Sequence, residues 1–307
     1  MPFRPQKIFK VGVIGLGRMG ERHIRNCLKS PDVDLVAVHD NSIDKENKIA
    51  LEYDIKSVGK ITNFINDIEI AIISVPTEDH AKIAKILLTR GIHCLIEKPI
   101  TLHEDDAKEL IAIARKRNVI LAIGHTERFN PCILRLREIM KSYPKPFHIK
   151  LERLNASTNF VYTDDVILDL MIHDIDLINF LGIIDLSSLF NINFDLNNNI
   201  NKECIINIKA DKNLELDFHA SRNNKNTQRK IIINYGNYDI SADLYNAEIS
   251  TTNNSSNIDH TIIKNDALEM QLEHFLKKIK GEDSLIASGT EALLALSMAN
   301  KIRKLFN

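Results

Sequence analysis

Three side chains suited to proton transfer, Asp169, His173 and Asp176, lie within one strongly apolar stretch, residues 165–181. The sequence DVILDLMIHDIDLINFL predicts a buried helix that is apolar nearly all round. Residues three and four apart share a helix face, so the spacing places these three side chains together. Buried charges are costly unless they are paired or bind a ligand. Three interpretations stay open: a self-satisfied polar stripe, a metal site that also uses His125, or His173 as a general acid or base with Asp169 orienting it or the substrate.

A glycine-rich turn in Val11–Gly20, VGVIGLGRMG, is typical of a dinucleotide-binding site. A buried strand over residues 8–14 leads into GxGxxG, and a helix to about Leu28 follows. Gly15 permits a tight turn, Gly17 lets the backbone approach a pyrophosphate, and Gly20 lets the helix pack against the strand. The helix N-terminus then offers N–H groups and a partial positive charge to the phosphates.

Asp40 falls 20 residues after Gly20, at the end of a second apolar run over residues 35–38. A carboxylate there can accept hydrogen bonds from both ribose hydroxyls, and its charge repels a 2′-phosphate. Asn41 and Ser42 follow with no adjacent arginine, which favours NAD over NADP. The alternative is an aspartate that caps the next helix from a loop.

Ligands of open parallel sheets bind beyond the carboxyl ends of the strands, and Glu97-Lys98-Pro99 follows the predicted strand 92–96. Lys98 can donate to a substrate hydroxyl or carbonyl, and burial can lower its pKa toward the range for proton transfer. Glu97 can bond the nicotinamide ribose. Taken alone, an isolated Glu-Lys-Pro favours a solvated turn. The predicted cofactor-binding residues are Gly15, Gly17, Arg18, Met19, Gly20, Asp40, Ser74, Pro76, Thr77, His80, Glu97 and Lys98.

Strands that alternate with helices predict an α/β fold with a doubly wound parallel sheet, a Rossmann domain, over residues 1–123. Thr77 is the expected N-cap of a helix to about Arg90. Period-two alternation after Gly124 predicts an α+β domain over 124–286 with a mostly antiparallel, open sheet. The final helix, residues 290–306, is expected to pack on the first domain. The strands predicted in the second domain are residues 147–154, 189–194, 203–210, 214–220, 229–235 and 238–244.

The segment GHTERFNP lies at the predicted junction of the two domains. Arg128 either clamps an anionic or hydroxylated substrate or forms an interdomain pair with Glu127. Asn130 can bond polar groups of a ligand. Tyr162 either lines the same cleft or packs in the interior.

Composition excludes several classes of protein. A chain of 307 residues is expected to form two domains. Its 40 basic and 41 acidic side chains nearly balance, which gives no sign that the protein binds nucleic acid or a membrane. Met1–Lys7 lacks the apolar core of a signal peptide, and no apolar run approaches a membrane span. Four scattered cysteines without metal-type spacing indicate reduced thiols in a cytoplasmic protein. The scattered cysteines are Cys27, Cys94, Cys132 and Cys204.

Together the motifs resemble those of the Gfo/Idh/MocA family of sugar and cyclitol oxidoreductases over nearly the whole chain. The matching stretches are VGVIGLGRMGERH, ISVPTEDH, IEKP, GHTERFNP and DLMIHDID, in the family's order and spacing. The resemblance implies that Lys98, Asp169 and His173 form one catalytic group without a metal. It also implies a homodimer or homotetramer formed through the solvated face of the second sheet.

The sequence departs from the family where many members have a glycine-rich run. Here Tyr162–Leu168 reads YTDDVIL before the Asp-x-x-x-His helix. With GHTERFNP, it resembles a subgroup that includes UDP-N-acetylglucosamine 3-dehydrogenases, which implies hydride transfer between a sugar carbon and NAD. The predicted substrate-binding residues are Arg128, Asn130, Tyr162, Asp169 and His173.

Other functions stay open at this point. Within the same class, the protein can be a myo-inositol or free-aldose dehydrogenase. From other classes, it can be a non-catalytic NAD-binding redox sensor, or a metal-dependent enzyme that processes sugars.

Overall fold

A computed structural model of the chain describes residues 7–158, 164–188, 200–210, 213–253 and 256–306. Their Cα atoms form two compact units. The first unit comprises Met1–His125 and Leu268–Leu293, and the second comprises Thr126–Ala267 and Leu294–Asn307.

The described strands and helices are named here in chain order. The strands are β1 Phe9–Ile14, β2 Val33–His39, β3 Ile70–Ile73, β4 His93–Glu97, β5 Leu121–Gly124, β6 His148–Ala156, β7 Glu203–Lys209, β8 Glu215–Asn224, β9 Gln228–Asn234, β10 Tyr238–Asp243, β11 Glu248–Asn253, β12 Ser256–His260 and β13 Ala287–Ser288. The helices are α1 Arg18–Lys29, α2 Ile43–Tyr53, α3 Thr77–Thr89, α4 Glu104–Arg117, α5 Pro131–Met140, α6 Ile172–Phe180, α7 Ala267–Ile279 and α8 Gly289–Arg303.

The first unit contains a six-stranded sheet in the order β13-β5-β4-β3-β1-β2. Its five longer strands pair in parallel, and all four residues of β3 are buried, as expected for a strand covered on both faces. The predicted Rossmann sheet is confirmed. The sixth strand, β13, pairs antiparallel with β5 through only two residues. A pair so short leaves no alternation in the sequence, so the prediction missed it.

One helix start differs from its prediction. Helix α3 begins at Thr77, and Pro76 is its N-cap, without a side-chain hydrogen bond to the helix. The prediction that Thr77 caps this helix is therefore wrong. Proline is suited to this boundary because its φ is fixed, here at -54°, while its ψ of 147° keeps it outside the helix.

The second unit contains a seven-stranded sheet in the order β12-β11-β10-β9-β6-β8-β7. All neighbours are antiparallel except β6 and β8, which pair in parallel beside the edge strand β7, and this confirms the mostly antiparallel sheet. Apolar residues alternate inward along the strands, as Cys204, Ile206 and Ile208 do in β7. Strands β11 and β12, EISTTN and SNIDH, were not predicted because their polar residues obscure the alternation. The predicted strand 189–194 lies outside the described residues.

Among the residues described, no helix combines the length and apolar character needed to traverse a lipid bilayer. The predicted helix over residues 165–181 divides into two parts. A π-helical segment, Ile167–Met171, comes first and continues directly into α6. π-Helical turns are rare and occur frequently at functional sites.

Candidate active site

The glycine-rich turn has the geometry that a dinucleotide requires. Gly15 has a φ of +87°, and an added Cβ there would lie 2.6 Å from the backbone of Ser74 and Val75. A Cβ on Gly20 would overlap the carbonyl oxygen of Gly15. By contrast, nothing lies within 4 Å of a Cβ on Gly17, the N-cap of α1. Open space therefore adjoins the N-terminus of α1, where N–H groups can bind phosphate.

The end of β3 is tied to this turn by Ser74. Its hydroxyl donates to the carbonyl oxygen of Gly15 at 2.8 Å, and its backbone N–H donates to that of Ile14 at 2.8 Å. Arg18 is exposed and Met19 is half-buried at the start of α1. The predicted roles of these residues in binding a cofactor stay predictions.

Asp40 is joined to the glycine-rich turn through its carboxylate. Oδ2 accepts from the N–H of Leu16 at 2.8 Å, Oδ1 accepts from the N–H of Ser42 at 3.0 Å, and the Lys45 ammonium lies 3.5 Å from Oδ2. Burial tends to raise the pKa of Asp40, but these donors outweigh it and hold the pKa below its ordinary value. Ser42, not Asp40, is the N-cap of α2. An ionised carboxylate beside the turn can accept hydrogen bonds from the ribose hydroxyls of a dinucleotide.

Glu97 forms a part-buried pair with a histidine that the prediction did not single out. Its Oε1 lies 2.8 Å from Nε2 of His23, on α1. Burial tends to raise the pKa of Glu97, while His23 and then Lys98 lower it, and the result lies below its ordinary value. A Cβ on Gly124 would come within 3.0 Å of this carboxylate, so the neighbouring strand leaves room for it. The only signal in the sequence was the position of His23 within VGVIGLGRMGERH.

His80 holds together the loops that follow β3 and β4. Its Nδ1 lies 2.9 Å from the carbonyl oxygen of Pro99, and its Nε2 lies 3.0 Å from that of Val75. Only 1% of His80 is exposed. Burial lowers its pKa although both carbonyls oppose this. Both ring nitrogens thus face backbone carbonyl groups, and the predicted contact of His80 with a cofactor stays a prediction. Lys98 and Pro99 are joined by a cis peptide bond.

Pro76 and Thr77 lie at the start of α3, where Pro76 is exposed and Thr77 is half-buried. Their predicted roles in binding a cofactor stay predictions.

Residues 165–181 are called the Asp-rich helix from here on. In the second unit, the aspartates of this helix are paired with arginines from other elements. Arg153 on β6 donates to both carboxylate oxygens of Asp174, at 2.7–3.1 Å. Burial alone would lower the pKa of Arg153, but Asp174 and Glu127 more than offset this and raise it. Another pair joins Arg303 Nε to Asp165 Oδ2 at 2.6 Å.

Asp169 and His173 differ from the other aspartates of this helix, Asp165, Asp174 and Asp176, because both are partly exposed. Asp169 lies in the π-helical segment, and its Oδ2 accepts from Nη2 of Arg222 at 2.7 Å. Arg222, on β8, also donates to the carbonyl oxygen of Asp164 at 2.6 Å. Arg222 lies 53 residues from Asp169, a separation at which no sequence pattern signals a pair.

Arg128 is buried, and its predicted contact with a substrate stays a prediction. Its Nε and Nη2 donate to the two carboxylate oxygens of Asp176 at 2.7 and 2.6 Å, and both side chains are 2% exposed. The guanidinium also lies 5.0 Å from the ring centroid of Phe180. The predicted pair with Glu127 is wrong, because Glu127 accepts from Arg153 and Arg229, each at 3.2 Å. Asp176 therefore belongs to a buried ion pair, whereas Asp169 and His173 are partly exposed.

Asn130 is the N-cap of α5, and its predicted contact with a ligand stays a prediction. Its Oδ1 accepts from the N–H of Cys132 at 3.0 Å, and its Nδ2 donates to the carbonyl oxygen of Leu244 at 3.2 Å. Tyr162 lies outside the described residues.

The interpretation as a metal site finds no support within the described ranges. No group of three or more His, Cys, Asp or Glu side chains there is arranged to hold a metal ion. His125 is 2% exposed, and the four cysteines are buried and free.

Comparison with known proteins relates the chain to oxidoreductases. Residues 9–125 match the model of GFO_IDH_MocA, an oxidoreductase family with an NAD-binding Rossmann fold. UDP-N-acetylglucosamine 3-dehydrogenase of Acidithiobacillus ferrooxidans is 34% identical over 168 residues, 55% of this chain and 52% of that protein. Inositol 2-dehydrogenase of Salmonella typhimurium is 28% identical over 181 residues, 56% of this chain and 54% of that protein. The matched part therefore spans about half the length of each of these relatives.

A solved structure extends the similarity to the second unit. UDP-N-acetylglucosamine 3-dehydrogenase from Acidithiobacillus ferrooxidans superposes with a TM-score of 0.87 and 26% identity, covering 97% of each chain. The similarity in fold thus includes both the parallel and the mostly antiparallel sheet.

Proposed function

We propose that this chain, which belongs to the Gfo/Idh/MocA oxidoreductase family, is an NAD-dependent dehydrogenase of a nucleotide sugar. The observation that carries the proposal is the glycine-rich turn with an ionised carboxylate, Asp40, hydrogen-bonded to its backbone. The substrate class rests on similarity to UDP-N-acetylglucosamine 3-dehydrogenase. The product is then a 3-keto sugar.

Several described residues fit the coenzyme. Gly15, Gly17 and Gly20 shape the turn, the N-terminus of α1 receives the pyrophosphate, and Asp40 receives the ribose diol. The charge of Asp40 disfavours a 2′-phosphate, although the Lys45 ammonium 3.5 Å away offsets part of that effect. These features support NAD over NADP. When bound, NAD supplies the acceptor for the hydride.

Lys98, Asp169 and His173 are the proposed catalytic residues. His173 accepts the proton of the sugar hydroxyl while the carbon that bears this hydroxyl loses its hydrogen as hydride. The Lys98 ammonium donates to the hydroxyl oxygen and stabilises the negative charge that develops on it. Asp169, itself held by Arg222, orients the sugar or the imidazole. The C–O bond becomes a carbonyl, so protons and electrons balance.

The exposed face of the second sheet supports a further proposal, assembly into a homodimer or homotetramer. Its outward residues include the apolar Ile205, which is 45% exposed, next to paired polar groups such as His219 and Glu203. Mixed faces of this kind suit contact with a second copy of the chain.

A second candidate is a myo-inositol or free-aldose dehydrogenase, favoured by the similarity to inositol 2-dehydrogenase. Fluorescence of NADH, followed while the protein is incubated with NAD and a panel of sugars, separates the candidates. NADH formed only with UDP-N-acetylglucosamine supports the proposal. NADH formed only with a free sugar or cyclitol supports the second candidate. Binding of NAD without any turnover supports a redox sensor.

The substitution Lys98→Met tests the mechanism. We expect this variant to bind NAD normally and to lose at least about 100-fold in kcat, since a lost acid–base or oxyanion contact costs about that much. Lys85→Met, which alters an exposed lysine of α3 paired with Glu109, is the matched control and is expected to keep its activity. Undiminished turnover of Lys98→Met would remove Lys98 from the mechanism.

A further inference from the structure

Glu46 is a fully buried carboxylate on α2, in the unit that contains the glycine-rich turn, and its residue exposure is 0%. An anion is stable in such a place only when surrounding donors replace water. Five donors do so here. They are Nδ1 of His39 at 2.9 Å, the N–H of Asp40 at 3.1 Å, the hydroxyl of Ser57 at 2.7 Å, the N–H of Val58 at 2.6 Å and the N–H of Gly59 at 2.7 Å.

The donors keep this carboxylate ionised. Burial tends to raise the pKa of Glu46, but the hydrogen bonds from Gly59, Ser57, Asp40 and His39 lower it to about 2. Hydrogen bonds to an ionised acceptor are stronger than those between neutral groups. Glu46 is therefore a firm attachment point for the segments that donate to it.

Those donors belong to two segments that adjoin the end of β2. One is His39-Asp40, and the other is Ser57–Gly59, where Ser57 forms an isolated bridge with Val38. The Glu46 carboxylate thus fixes the main chain of Asp40, while the side chain of Asp40 accepts from the N–H of Leu16 in the glycine-rich turn. A continuous path of hydrogen bonds runs from Glu46 through Asp40 to that turn.

We propose that Glu46 is a positioning residue for coenzyme binding, which holds Asp40 so that its carboxylate meets the adenosine ribose diol and discriminates against a 2′-phosphate. The inference rests on the proposed function, in which Asp40 binds that ribose. Glu46 itself makes no contact with the coenzyme. Its effect is transmitted through Asp40 and is therefore visible only while Asp40 has its carboxylate.

A double-mutant cycle on the full-length protein tests this inference by isothermal titration calorimetry with NAD and NADP. In Glu46→Gln an amide NH₂ replaces one acceptor oxygen and faces N–H donors, so Asp40 loses its fixed position. We expect the affinity for NAD to fall about tenfold, as for one charge-assisted hydrogen bond, with a smaller change for NADP. In the Asp40→Ala background, we expect Glu46→Gln to weaken NAD binding no further.

Glu52→Gln is the matched control, because Glu52 is an exposed glutamate of the same helix, and its NAD affinity is expected to stay at the wild-type value. Should Glu46→Gln fail to fold, Ser57→Ala is the second variant, because it removes one donor to Glu46. We expect Ser57→Ala to lower the NAD affinity less than Glu46→Gln. In the Asp40→Ala background we expect Ser57→Ala to cause no further loss.

Two results would overturn this inference and leave the proposed function in place. One is an unchanged ratio of NAD to NADP affinity in folded Glu46→Gln. The other is that the losses of Glu46→Gln and Asp40→Ala add up in the double variant. If the wild-type protein does not bind NAD, both the proposed function and this inference are wrong.

Discussion

Asp40 and Glu46 in the first unit are stabilised by different donors from Asp174 and Asp176 in the second. In the first unit, Asp40 and Glu46 accept mainly from backbone N–H groups. In the second unit, Asp174 and Asp176 each accept two-pronged hydrogen bonds from an arginine. Backbone donors satisfy a carboxylate without cancelling its charge, whereas an arginine neutralises it. The first arrangement suits a carboxylate that must keep its charge toward a ligand, and the second suits a helix that carries aspartates into an apolar interior.

The same contrast separates the residues of the Asp-rich helix from one another. Asp174 and Asp176 are buried with their arginines, while Asp169 and His173 are partly exposed. Asp169 retains an exposed fraction of 27% in its side chain although Arg222 binds it. The two residues proposed for catalysis are therefore the partly exposed ones, while the buried ones are neutralised by arginines.

The largest expected effect concerns an arginine pair of the second unit. Asp174→Ala leaves the buried Arg153 guanidinium without its main partner, and we expect a loss of about 3–5 kcal/mol in the free energy of unfolding. Chemical denaturation at neutral pH measures it. Replacing both residues, Arg153→Met with Asp174→Leu, removes both charges and is expected to restore most of the loss. A cost below about 1 kcal/mol for Asp174→Ala would contradict the importance given to this pair.

A pH dependence distinguishes the carboxylate of the first unit. The folded pKa of Glu46, about 2, lies below the ordinary value of 4.5 for a glutamate. Its stabilisation is therefore fully present above pH 4.5 and is lost as the pH falls from there toward 2, amounting to about 3 kcal/mol. Unfolding of the wild type and Glu46→Gln, measured from pH 7 to pH 3, should show a difference that shrinks below pH 4.5. A constant difference over this range would mean that the charge of Glu46 does not stabilise the fold.

The first unit was predictable in large part because its signals are local. Buried strands, the spacing of Gly15, Gly17 and Gly20, and the position of Asp40 all lie within one βαβ segment of the sequence. The turn needs glycine for steric reasons that hold in any protein, so a motif translates directly into a structure. Glu46 escaped prediction because its charge suggests an exposed helix surface, and only the folded loops supply its five donors.

The polar pairs of the second unit were not predictable, because each joins residues far apart in the chain. Arg128 and Asp176 are 48 residues apart, and Arg222 and Asp169 are 53 residues apart. Helical periodicity groups Asp169, His173 and Asp176 on one face, but it cannot show which arginine approaches which aspartate. The π-helical segment adds a local change of pitch that the same periodicity does not contain.

The smallest expected effect separates structure from ligand binding at Asn130. Asn130→Ala removes the side-chain oxygen that accepts from the N–H of Cys132, and we expect a loss of about 1 kcal/mol in the free energy of unfolding. Asn130→Asp preserves the capping oxygen and is expected to recover most of that stability. Since the Asn130 amide is engaged by Cys132 and Leu244, the KM for the sugar should change less than twofold in both variants. A tenfold increase in KM without a loss of stability would instead identify Asn130 as a ligand contact, because a cap acts on the helix and a ligand contact acts on binding.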